Sequence, residues 1–154
     1  MASAPNTSYD DRERYGQVAI LVGTLGLVLA IIGLFPGTTG VEAQSGIGLL
    51  QIWVILLGMT LLILGALLFV KIMFYPSVRT NLAQDIAVRL SLTGLLIAAA
   101  TGLADVLGYG SHSPGDEQNL PYLGIWQAIG MVFGFTIASL GVMIFALMGP
   151  TKEH

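Results

Sequence analysis

Long apolar runs separated by short polar stretches dominate the chain. The first runs from about Gln17 to Phe35 and stops at Pro36-Gly37; the second runs from about Ile47 to Tyr75 and stops at Pro76. The third covers about Ile86 to Leu107, with Arg89 in its first turn and Asp105 in its last. The fourth covers about Leu123 to Met148, between Pro121 and Gly149-Pro150. At about 1.5 Å per residue, a run of about 18 residues reaches roughly 27 Å, close to the hydrocarbon thickness of a bilayer. A helix is the open-chain structure that satisfies its own backbone in lipid. The pattern therefore predicts an all-α integral membrane four-helix bundle, up-down-up-down, with helices at about 17–35, 47–75, 86–107 and 123–148. A polar tail at 1–16 precedes this transmembrane domain, 17–148, and a short one at 149–154 follows it. The second run is longer than a bilayer needs, which predicts tilt or protrusion, with Lys71 snorkelling to the headgroups.

Composition agrees with lipid as the solvent. Of 154 residues, 55% are hydrophobic and 10% charged, with a mean hydropathy of +0.81. A soluble domain carries about 25% charged residues. Net charge is −3 and there are no long charge runs, which argues against nucleic acid as a partner. The chain has no cysteine, which excludes disulfides, thiolate metal sites and thiol catalysis. The first apolar run begins only after a polar, mixed-charge stretch, so it reads as a retained membrane helix rather than a cleaved signal. Ala2 stands where myristoylation needs glycine.

Charge also predicts orientation. With four crossings, the N-terminal tail, the middle loop and the C-terminus share a side. Arg12, Arg14, Lys71, Arg79, Arg89 and Lys152 all fall there, while Glu42, Asp116 and Glu117 fall opposite. The positive-inside rule then places both termini in the cytoplasm. Trp53, Tyr109, Tyr122 and Trp126 lie towards the outer interface, and Tyr15, Phe74 and Tyr75 towards the inner, as in an aromatic belt. Scarce lysine and absent cysteine fit a bacterial plasma (inner) membrane.

The second and fourth runs align without a gap at an offset of 76. Gly48, Gln51, Gly58, Thr60, Leu64, Gly65 and Phe69 meet Gly124, Gln127, Gly134, Thr136, Leu140, Gly141 and Phe145. The first and third align at an offset of 69, through Thr24, Leu27, Ala30 and Gly33 against Thr93, Leu96, Ala99 and Gly102. The expectation is two tandem, parallel helical-hairpin repeats, related by a pseudo-twofold axis along the membrane normal. Small residues recur at packing intervals: Gly26 with Gly33, Gly58 with Gly65, Gly94 with Gly102, and Gly130 with Gly134 and Gly141. Such faces let helix backbones approach closely where lipid removes the hydrophobic contrast. Short outer loops favour packing inside the chain over packing between copies.

Candidate chemistry is sparse. Asp105 reads first as a helix-end carboxylate, with cation or proton handling as its functional alternative. Gln51 and Gln127, matched across the repeat, read as interhelical clamps or as the lining of a polar entrance. Thr60 and Thr136 are a second matched pair whose hydroxyls can bond back to their own helices. Lys71, Arg79 and Arg89 are candidate contacts for lipid phosphate, and Asp85 and Arg89 have the spacing of a helical ion pair. His112, Asp116 and Glu117 share an outer loop without a recognised metal-ligand spacing. No nucleophile–base pair, carboxylate pair or histidine cluster stands out, so neither an enzyme nor a cofactor is expected.

Two functional readings follow. The first is a non-enzymatic structural or accessory membrane subunit, embedded in the lipid bilayer and joining a homo-oligomer or larger complex through small-residue helix faces. The second is a small transporter or channel subunit with a polar entrance at the repeat axis.

Overall fold

The computed structural model describes residues 7–40, 48–76, 79–109 and 123–149. They form four α-helices, α1 (Thr7–Leu34), α2 (Leu49–Phe74), α3 (Leu82–Gly102) and α4 (Ile125–Leu147), with a short 3-10 helix, Pro36–Thr39, after α1. Each is long and apolar enough to cross a membrane, as in a multi-pass helical membrane protein. Glu42, His112, Asp116, Glu117, Tyr122 and Lys152 lie outside the described residues.

Hydropathy marks where an apolar run starts, not where a helix starts. α1 begins at Thr7, well before the apolar run, so most of the expected polar tail is helical. Neither Gly nor Pro interrupts the stretch from Ser8 to Tyr15, and its Glu and Arg residues favour helix. α3 also starts early, at Leu82, because the Asn81 side chain accepts the Gln84 N–H at 2.8 Å and caps the first turn. The same helix ends early, at Gly102. Asp105 therefore lies in the turns of Leu103–Gly108 beyond α3, not in its last turn. There the Gly108 N–H meets the Asp105 carbonyl at 3.2 Å, with Gly108 at φ +81°, a conformation glycine adopts without strain.

α1 packs along α2, and α3 packs along α4. The two pairs meet mainly through α2, which touches both α3 and α4. A closed square of helices would also set α1 firmly against α4; instead α1 leans on α2 and its outer faces stay open. The reason lies in the small residues. A β-carbon built on Gly26 would sit 2.6 Å from the Gly58 carbonyl oxygen, and one built on Gly58 would sit 2.8 Å from the Gly26 carbonyl oxygen. In the second pair, Gly94 and Gly134 stand in the same relation, at 2.5 and 2.6 Å. Only glycine fits such backbone-to-backbone contact. The small-residue faces are thus used inside each hairpin.

The contacts recur, with one change of register. Gly58 packs against Gly26 and Ala30; Gly134 packs against Gly94 and Ala98. Gly65 packs against Ala19 and Gly23; Gly141 packs against Ala87 and Ser91. Between α1 and α3 this is an offset of 68, not the 69 that identical Thr, Leu and Ala residues suggest. The 69 register survives at the helix ends, where Gly33 faces Ile55 and Gly102 faces Met131. One residue is about 100° of helical rotation. The close backbone contacts thus follow a different register from the side-chain identities.

Two clusters join the hairpins. In one, Ile63 and Leu67 of α2 pack with Ala87, Leu95, Ala138 and Phe145. In the other, Ile52, Ile55 and Leu56 pack with Ala98 and Met131.

Candidate functional site

Several polar side chains inside the helix pairs end on backbone carbonyls. Gln51 donates its Nε2–H to the Gly33 carbonyl at 2.7 Å, tying α2 to the last turn of α1. Gln127 occupies the matching position on α4 and does something else. Its Oε1 accepts the Gly124 N–H at 2.6 Å, closing the start of its own helix. Its Nε2 is buried without a hydrogen-bond partner. The two glutamines therefore serve separate helix ends and do not bond to each other. Thr136 is exposed and bonds back to Val132 at 2.8 Å, while Thr60 is half-buried on α2. Asp105 is half-buried in the turn after α3.

Four residues that the sequence did not mark as interhelical contacts hold the opposite end together. Arg12 donates to the carbonyls of Ile72, at 3.2 Å, and Met73, at 2.5 Å, covering the C-terminal carbonyls of α2. Tyr75 donates its hydroxyl to the Ala146 carbonyl at 2.8 Å, and Asn81 donates to the Met148 carbonyl at 2.7 Å. Gln84, fully buried, reaches the Phe145 carbonyl at 3.4 Å and leaves its Oε1 without a partner. Deeper in, the fully buried Ser91 donates to the Ala138 carbonyl at 3.0 Å. A signal for Ser91 was present: it interrupts the small-residue series Ala87, Gly94 and Ala98 on one helical face. Arg12 carried no such signal, because its partners are carbonyls 60 residues away.

These bonds gather the start of α1, the end of α2, the start of α3 and the end of α4 at one end. Arg12, Arg14, Lys71, Arg79 and Arg89 lie around it. Arg79 and Arg89 are exposed there and Lys71 is half-buried; Asp85 is exposed beside Arg89. Among the described residues, no three His, Asp or Glu side chains gather where they could hold a metal.

A groove of about 230 Å³ opens between α1 and α2, floored by Gly23 and Gly65 and walled by apolar side chains including Ile20, Leu62 and Phe69. Its lining carries no titratable group. Searched for relatives, the chain matches no family model, no curated protein and no solved structure.

Proposed function

We propose that the chain is a non-enzymatic multi-pass membrane subunit whose work is helix association. It consists of two tandem, equivalent hairpins in an up-down-up-down path, with both termini cytoplasmic in a plasma membrane. One observation carries this reading. The buried Gln84 and Ser91 and the half-buried Gln51 and Tyr75 each bond a carbonyl of a neighbouring helix, which supports a clamping role over the lining of a path. The glycines serve the interior of each hairpin, so an association with other chains uses the remaining apolar faces. The exposed Arg79 and Arg89, with Lys71 nearby, support contact with lipid phosphates at the cytoplasmic surface.

Purified chain in liposomes tests the proposal. The expected result is no ion or solute flux that depends on Gln51, Gln127 or Asp105. Flux abolished by Gln51→Leu or Asp105→Asn would replace this reading with the transporter one.

A further inference from the structure

The two hairpins carry corresponding surfaces, and among the described residues one of those surfaces is filled in one hairpin and open in the other. In the second hairpin, Ile63 and Leu67 of α2 enter a groove formed by Ala87, Leu95, Ala138 and Phe145, with Val88 and Val142 packed on the cluster. In the contact registers, 68 for α1 with α3 and 76 for α2 with α4, these six correspond to Ala19, Leu27, Leu62, Phe69, Ile20 and Ala66. All six line the open groove between α1 and α2. Among the described residues, the first hairpin thus leaves open the surface that its counterpart fills with a helix of the same chain.

The inserting ridge also has a counterpart. Leu56, Ile63 and Leu67 of α2 correspond to Val132, Ser139 and Met143 of α4. All three are exposed, Val132 at 65% and Met143 at 50%. The contact between hairpins is therefore of the ridge-into-groove kind that uses two different surfaces, leaving one groove and one ridge over. Their sizes compensate. Inside the chain a large ridge residue, Ile63, accompanies a small groove residue, Ala138; the free pair has small Ser139 on the ridge and large Leu62 in the groove.

We propose that the groove between α1 and α2 receives α4 of a second copy of this chain, along Val132, Ser139 and Met143. On α2 the ridge face and the groove face stand roughly a right angle apart, at about 100° of rotation per residue. A contact that turns through roughly a right angle at each step closes after about four hairpins, which is two chains in a ring. The proposal rests on the association reading above and names the partner.

The chain's lack of cysteine makes the test direct. Copies carrying Ala66→Cys and copies carrying Met143→Cys, with different tags, are co-expressed and oxidised in native membranes. The expected product is a covalent dimer of the two different variants. Ala66→Cys does not link to itself, and Leu68→Cys on another face of α2 does not link to Met143→Cys. Chains carrying both Ala66→Cys and Met143→Cys stop at the dimer instead of forming a ladder. Ala66→Phe, which fills the groove from its rim, lowers FRET between labelled copies by about tenfold at unchanged helicity. Ala66→Cys linking to itself, a ladder, or no link between the two variants overturns the proposal. Linking through other faces sinks the groove assignment and leaves the association reading intact. Glutamine-dependent flux in liposomes sinks the association reading whatever the cross-links show.

Discussion

The hairpin of α1 and α2 and the hairpin of α3 and α4 share a backbone contact and differ in how it is dressed. At the centre both are glycine against glycine: Gly26 with Gly58, and Gly94 with Gly134. One step towards the basic end they part. Gly65 meets Gly23 in the first hairpin, whereas Gly141 meets Ser91 in the second, whose hydroxyl crosses to the Ala138 carbonyl. The ends differ too. Arg12 covers the end of α2, while Asn81, Gln84 and Tyr75 cover the end of α4. The second hairpin, covered by α2, buries Ser91 in the middle of its contact; the first, with its outer faces open, keeps glycine against glycine there and places its polar bonds, from Arg12 and Gln51, at its two ends. Close backbone packing is thus the shared requirement, and a polar bond in mid-contact is added where another helix shields it.

The largest break in this comparison should come at its centre. Gly58→Leu and Gly134→Leu each force a side chain into a facing backbone, and each is expected to destabilise its hairpin by about 3 kcal/mol or more. Reversible unfolding in mixed micelles checks this, and comparable losses are the expected outcome. Gly23→Ala offers the contrast. Its β-carbon would meet its nearest neighbour, the Gly65 Cα, at 3.9 Å, so the expected change stays below about 0.5 kcal/mol.

Arg12→Ala removes two hydrogen bonds from a charged donor at a half-buried site, and about 1 kcal/mol is expected after allowance for solvent screening. Hydrogen exchange at the carboxyl end of α2 should accelerate, while the end of α4 is unaffected. Ser91→Ala deletes one interhelical bond, for about 0.6 kcal/mol, up to roughly 1.7, by the same unfolding assay. Gly23→Ser would sharpen the comparison by transplanting the second hairpin's hydroxyl into the first; a gain of similar size would show the two contacts to be interchangeable. The smallest effect belongs to Thr136→Val. Its hydroxyl is tied to its own helix, so stability should move by less than about 0.5 kcal/mol.

Hydropathy and breakers such as Pro36, Pro76 and Gly149 were enough to predict four membrane-length helices, because lipid demands long uncharged segments whatever their neighbours are. The spacing of Gly58, Gly65, Gly134 and Gly141 was enough to predict tight helix faces, because small residues one or two turns apart share a side. Tertiary structure alone decided which helix each face meets, that α1 stands against α2 without closing a square, and that the glycine contacts of the two pairs recur at an offset of 68 rather than 69. It also decided that Gln51 and Gln127, alike in sequence, bond to different helices, and that Arg12 closes a helix end 60 residues away. Periodicity along one helix reports direction about its axis. The identity of what lies in that direction is a property of two chains of backbone brought together, and no single segment contains it.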